Sequence, residues 1–246
     1  MSVIYKTMTI PSASLGGTNP LPAFRSKDPD VHVNYDDTFT PEEARDLGKS
    51  CGCRILPYLA QDRYDREIKP ARQPVMVLEN EHLRAEILCN YGGRLYGLYD
   101  KDACRELLFR NPVIQPANLA IRDAWLSGGI EWNIGQVGHT FTTCSPVFCA
   151  ILNDGEGNDF ARIYEYERQK GLFWQVDLHL PADSRELIVY VRIVNPSDTP
   201  TPMYWWTNTA VFEDETTRVF ASADRALYSN PVKRCLNMGE MPYFPS

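Results

Sequence analysis

Residues 74–109, PVMVLENEHLRAEILCNYGGRLYGLYDKDACRELLF, decide the fold class. Four short apolar runs follow one another, each too short for a helix of ordinary length and each closed by turn chemistry: Glu79-Asn80-Glu81, Asn90-Tyr91-Gly92-Gly93 and Asp100-Lys101-Asp102. Runs of this length, rich in Val, Ile, Leu and Tyr and bounded by Asn, Asp and Gly, read as strands joined by tight connections. The rhythm continues downstream. SPVFCAIL, ARIYEYER, LFWQVDLHL, RELIVYVRIV and TPMYWWTNTAVF are separated by NDGEGND, RQKG, PADS and NPSDTP. No strand–helix alternation appears, which disfavours a doubly wound α/β fold and leaves an all-β sandwich. In ELIVYVRIV the apolar content is nearly continuous, which predicts a strand buried on both faces.

Residues 1–73 have a different texture and are expected to wrap the main domain, 74–246, as an irregular segment. VIYKTMTIPSA alternates like an edge strand; SLGGTNPLPAFR and SKDPDVHVNYDD are rich in turn formers. One helix start stands out. Thr40 is placed to cap, Pro41 suits the first helical position, and Glu43 completes a capping box, so a short helix is expected from Pro41 to Gly48 or Gly52. The end, ALYSNPVKRCLNMGEMPYFPS, has no recognisable finishing strand, and the domain is expected to be truncated there.

Composition narrows function by exclusion. The chain has 246 residues and a net charge of −7, with 43% hydrophobic and 23% charged residues. A nucleic acid or an anionic membrane is therefore not an expected partner. No apolar run reaches the roughly 20 residues that span a bilayer, and the N-terminus lacks a signal-peptide core; a cytoplasmic protein is expected. Seven cysteines, an odd number, show no disulfide framework, and Cys51 and Cys53 are too close for CxxC geometry. All seven are expected as thiols, with Cys89, Cys144 and Cys149 buried. No pair of histidines has metal-ligand spacing, so no metal and no cofactor is expected.

Candidate chemistry lies in three places. SGGIEWNIGQVGHTF, residues 127–141, brings Glu131, Asn133, Gln136 and His139 next to Trp125 and Trp132. Such groups cannot be buried unpaired: the stretch is either a solvated loop anchored by Trp132 and Ile134, or a binding or catalytic site. MYWWTNTAVFED, residues 203–214, sets Tyr204, Trp205 and Trp206 in a row, so that Trp205 faces opposite to its two neighbours. An aromatic face followed by Asn208 suits a sugar ring and its hydroxyls; a sandwich core on one side explains the row equally well. Arg94, in GGRLYGLYDK, either points into a pocket or pairs with Glu131 or Asp123.

ILCNYGGRLYGLYDKDACRELLFRNP resembles the galactose-mutarotase-like superfamily, and SGGIEWNIGQVGH with NPSDTPTPMYWWTNTAVFED resembles a bacterial branch in which such a domain precedes tetratricopeptide repeats. The resemblance spans about residues 74–230. It implies a β-supersandwich holding a carbohydrate in a concave sheet, and a downstream helical-repeat domain as partner. In such a cleft Glu131 with His139 offers an acid–base pair, or Glu131 with Glu213 or Asp214 a pair of carboxylates, and Arg94, Trp132, Asn133, Trp205, Trp206, Asn208 and Glu213 are the expected substrate contacts. In aldose mutarotases a strand motif close to T-N-H-T-Y-F carries the general-acid histidine. Here that stretch is Thr207-Asn208-Thr209-Ala210-Val211-Phe212, with Thr209 at the histidine's place. A threonine hydroxyl does not donate a proton near neutral pH as an imidazolium does. Mutarotation itself is therefore not expected. The expected function is carbohydrate binding, with or without turnover of an aldose or glycoside; the alternative is a structural or interaction domain of a larger protein.

Overall fold

A computed structural model describes residues 2–14, 30–49, 65–119, 122–134, 139–140, 142–168, 170–218 and 220–241, and only the backbone of residues 117–119 and 122–125. The strands, in chain order, are β1 (Ser2–Ser12), β2 (Lys69–Glu79), β3 (Leu83–Leu88), β4 (Arg94–Asp100), β5 (Arg105–Glu106), β6 (Ala117–Leu119), β7 (Arg122–Trp125), β8 (Ile130–Asn133), β9 (Phe148–Asn153), β10 (Asp159–Glu167), β11 (Leu172–His179), β12 (Ile188–Val194), β13 (Trp206–Thr209), β14 (Arg225–Asn230) and β15 (Cys235–Glu240). Among the described residues one helix of four residues, α1 (Pro41–Ala44), accompanies them. The chain is all-β and its strand pairs are antiparallel. It divides into two compact units, Met1–Arg25 with Ile55–Phe212, and Ser26–Arg54 with Glu213–Ser246.

The first unit is a sandwich. Its larger sheet has the order β1-β2-β3-β4-β8-β13, with β5 beside the far end of β4; its smaller sheet runs β12-β11-β10-β9. Period-2 alternation sorts the side chains. Met76, Leu78, Leu83, Ala85, Ile87 and Leu95 face Ala161, Ile163, Trp174, Val176 and Leu178 of the smaller sheet and form the main core. The alternate residues Val75, Val77 and Leu88 point the other way, into a second cluster with Ile10, Tyr91, Tyr96, Ile114, Leu126 and Cys144. The larger sheet is thus buried on both faces over much of its area.

A bulge in β4 sets the site's geometry. Glu86 pairs with Gly97 but Ile87 pairs with Leu95, so Tyr96 is the extra residue. The bulge resets the alternation. Leu95 and Leu98, three apart, both face the main core, while Arg94 and Tyr96 face away from it. The turn before β4 requires glycine at Gly93: φ is +63°, and a Cβ there would stand 2.3 Å from the Ile163 side chain.

The apolar run ELIVYVRIV departs from expectation. It forms β12, the edge of the smaller sheet, and Ile188, Val189, Tyr190 and Val194 are exposed. Continuity of apolar residues signals two apolar faces, not two covered ones, and here one sheet edge and much of both faces meet solvent.

The second unit joins the Ser26–Arg54 segment to the C-terminal stretch Glu213–Ser246. β14 and β15 form a hairpin, and Tyr35 bridges to Leu236. Arg225 reaches Glu43 at 2.9 Å and the Thr38 carbonyl at 3.1 Å. The capping box of α1 is formed: the Thr40 amide donates to Glu43 at 2.8 Å and the Glu43 amide to the Thr40 hydroxyl at 3.3 Å. The helix is shorter than expected and gives way to turns after Ala44, with Gly48 at φ +77°. Gly52 and the Cys51–Cys53 pair lie outside the described residues. Cys89, Cys104, Cys144, Cys149 and Cys235 are free thiols, and Cys89 and Cys144 are buried. No helix among the described residues is long and apolar enough to cross a membrane.

The two faces of the smaller sheet predict opposite responses to truncation. Leu178→Ala, at a fully buried position, is expected to cost about 2–5 kcal/mol. Phe173→Ala, on the exposed face of the same strand, is expected to cost less than about 1 kcal/mol. Urea titration of both variants checks this; equal losses would contradict the assignment of faces.

Candidate functional site

The site is built where β8 lies between β4 and β13. Antiparallel pairing sets Glu131 opposite Asn208 and Asn133 opposite Trp206. Because Trp132 faces the main core, alternation sends Glu131 and Asn133 to the other face, and Asn208 and Trp206 with them. The bulge in β4 delivers Arg94 to that same face. The backbone at the rim closes as a ring of three hydrogen bonds: Phe109 N to Ala210 O at 2.8 Å, Ala210 N to Gly129 O at 2.9 Å, and Gly129 N to Phe109 O at 2.8 Å. Only glycine fits at 129, where φ is +67° and a Cβ would meet the Leu95 carbonyl oxygen at 2.3 Å.

Glu131 is the hub and is 2% exposed. Its Oε2 accepts from Arg94 Nη2 at 2.8 Å and from the Thr143 hydroxyl at 2.9 Å. Its Oε1 accepts from Asn133 Nδ2 at 3.0 Å and Asn208 Nδ2 at 3.1 Å, and is in close contact with His139 Nδ1. Arg94, also 2% exposed, donates in addition to the Gly128 carbonyl at 2.7 Å. Asn133 accepts from the Thr140 amide at 2.8 Å, and the Thr140 hydroxyl accepts from the Ile134 amide at 2.9 Å, which fixes the chain around His139. The His139 ring lies 5.3 Å from that of Trp206. The indole Nε1 of Trp206 is buried with no hydrogen-bond partner among the described residues.

Burial alone would raise the pKa of Glu131. The Arg94 charge, the Asn133 amide, the His139 charge and the Thr143 hydroxyl outweigh it and hold the carboxyl below its ordinary value. The group is therefore an anion at neutral pH, fixed in position by five donors. A carboxylate offers about four lone-pair sites, and these donors take them up. The Glu131 carboxylate meets His139 through the ring nitrogen Nδ1. A cavity of about 170 Å³ opens beside the hub, lined by Gly128, Gly129, Arg94, Glu131, Asn208 and Thr209.

Of the residues expected at a site, Arg94, Glu131, Asn133, His139, Trp206 and Asn208 come together. Trp132 and Trp205 do not. Trp132 is 4% exposed and donates from its indole to the Gly93 carbonyl at 2.9 Å, and Trp205 packs on Trp174 in the main core at 6.2 Å between ring centroids. The reason is their odd–even position relative to Glu131 and Asn208. Glu213 belongs to the second unit. Arg94 takes the ion-pair alternative, with Glu131 as its partner. Gln136 and the side chains of Asp123 and Trp125 lie outside the described residues. Sequence reading missed Thr140 and Thr143. The run HTFTTC held the signal, since hydroxyls set among buried residues need partners. No group of three or more metal-ligating side chains is found among the described residues.

The fold and the site define a β-sandwich protein with a carboxylate-centred polar cluster on one sheet. Residues 52–241 match the family described as a domain of unknown function (DUF5107), and the chain belongs to that family. Among solved structures it is similar to a TPR-domain-containing protein from Parabacteroides distasonis, at 21% identity and a TM-score of 0.63. The match covers 92% of this chain and 33% of the other, so the chain spans about a third of that protein's length.

Glu131→Gln is expected to destabilise the first unit by about 3 kcal/mol or more, because the new amide sets an N–H against donors and leaves Arg94 buried without its anion. Acid acts through the same group. A depressed folded pKa adds stability that is complete above the unfolded value of about 4.3 and is lost as pH falls through the lower folded value. Urea midpoints of the wild type should fall with decreasing pH below that point, and those of Glu131→Gln should fall less; parallel curves would contradict it.

Proposed function

We propose that the Glu131 cluster is a carbohydrate site and that the domain binds an aldose or glycoside there through His139, Asn208, Trp206 and the Gly128–Gly129 rim. The observation that carries this reading is the pairing of His139 with a saturated, ionised Glu131 beside the Trp206 ring. It joins a polar group able to donate or accept with an aromatic surface, the combination that sugar rings and hydroxyls engage. The galactose-mutarotase-like resemblance supports it, since it implies a concave sheet that holds a carbohydrate. The cavity of about 170 Å³ is lined by Asn208 and the Gly128–Gly129 rim and not by His139 or Trp206; it lies below the roughly 300–1,000 Å³ of drug-sized sites, which favours a single sugar ring or one end of a longer chain.

The same geometry favours binding over turnover. Glycoside hydrolysis uses two carboxyl groups flanking the scissile bond. Glu131 is committed to its donors, and it is the one carboxylate among the described residues that line the cavity. Thr209, at the position of the mutarotase histidine, pairs with Ile130 on the edge strand and supplies no acid. The domain then reads as the sugar-recognising part of a longer protein, a helical-repeat protein if it resembles the P. distasonis neighbour in this respect.

Calorimetry against a panel of neutral mono- and disaccharides tests this. Binding of at least one sugar is expected, weakened about tenfold in Asn208→Ala, the loss of roughly one hydrogen bond, and by at least as much in His139→Ala. Absence of binding across the panel, or affinity unchanged in both variants, would overturn the proposal.

A further inference from the structure

The edges of the two sheets in the first unit are not alike. β1 alternates polar and apolar residues and carries Lys6 and Pro11. β13 is only four residues long. β9 is met by the Tyr5 hydroxyl, which donates to the Cys149 carbonyl at 2.8 Å. Short strands, edge lysines, prolines and covering contacts are the devices that keep sheet edges from pairing. Among the described residues β12 has none of them. It is seven residues, IVYVRIV, without proline or bulge, paired on one side only, and its single charge is Arg192. Arg192 has no ion pair among the described residues.

We propose that β12 is a self-association edge, through which two copies of this chain pair antiparallel about a two-fold axis at Val191 and merge their four-stranded sheets into one of eight. The sequence of the strand is palindromic in chemistry about that residue. Pairing there sets Ile188 opposite the second copy's Val194, Val189 opposite its Ile193, Tyr190 opposite its Arg192, and Val191 opposite its own counterpart. Every pair is apolar except Tyr190 with Arg192, where a guanidinium meets an aromatic ring. An isologous contact requires such self-complementarity.

The alternatives within this geometry are poorer. Continuous sheet faces demand that residues of one face meet residues of the same face, so the register can move only in steps that preserve alternation. Centring on Arg192 sets the two arginines against each other. Centring on Tyr190 sets Arg192 beside Ile188 and opposes Val194 to Glu186. The axis at Val191 is the one that overlaps all seven residues without opposing like charges.

Sedimentation equilibrium of the 246-residue chain across the micromolar range is the test. A reversible dimer is expected. Tyr190→Arg, at a position 56% exposed and so able to fold, places like charges opposite each other twice across the axis. It should weaken the dimer by about tenfold or more with an unchanged circular-dichroism spectrum. Tyr190→Arg combined with Arg192→Glu restores opposite charges in both pairs and should recover the dimer. A monomer throughout, a dimer indifferent to Tyr190→Arg, or no recovery in the double variant would each overturn the proposal.

Discussion

A carboxylate enclosed between strands cannot stand alone, and the surroundings of Glu131 are organised by that constraint. An ion buried to 2% exposure loses hydration worth several kcal/mol and needs a counter-charge and hydrogen bonds in good geometry. Arg94 supplies the charge, from a strand whose bulge turns it to the right face. Thr143, Asn133 and Asn208 supply donors from three separate stretches. Each of these needs its own support: Gly128 offers a carbonyl to Arg94, Thr140 offers its amide to Asn133, and Gly129 allows the rim to close against Leu95. The cluster therefore ties β4, β8, β13 and the 140–143 turn into one piece. The same ties hold His139 in place.

The constraint is tied to the burial of the larger sheet on both faces. One face meets the smaller sheet; the other meets Ile114, Leu126 and Cys144 from connecting segments. Polar groups on the second face are thus drawn out of water, and they pair among themselves. A sandwich with a wet outer face would have left Glu131 solvated and His139 without a fixed partner.

Much of this is legible in the sequence, and the failures have particular causes. Turn chemistry around Asn80, Gly92–Gly93 and Asp100 locates β2, β3 and β4, because glycine and Asx residues act locally. The approach of Glu131 and Asn208, 77 residues apart in the chain, comes from the resemblance rather than from periodicity. The core-facing roles of Trp132 and Trp205 require only the alternation that separates Trp205 from Tyr204 and Trp206, extended across the pair β8–β13; their aromatic character argues for ligand contact instead. The bulge at Tyr96 has no signal, since one inserted residue in an apolar strand leaves the composition unchanged. The apolar run of β12 reads as burial because pattern reports what a side chain prefers, while sheet order decides what covers it.

Saturation of Glu131 shapes what the site can do. A catalytic carboxylate needs a free oxygen that points at the reacting atom; a positioning carboxylate needs the reverse. Five donors on Glu131 fit the second description. A histidine so held can also serve recognition alone, as a donor whose direction is set before a ligand arrives, which lowers the ordering cost of binding. The two roles differ in what they ask of the neighbouring residues. Turnover asks for a second group able to complete the proton path. Recognition asks only for a shaped rim.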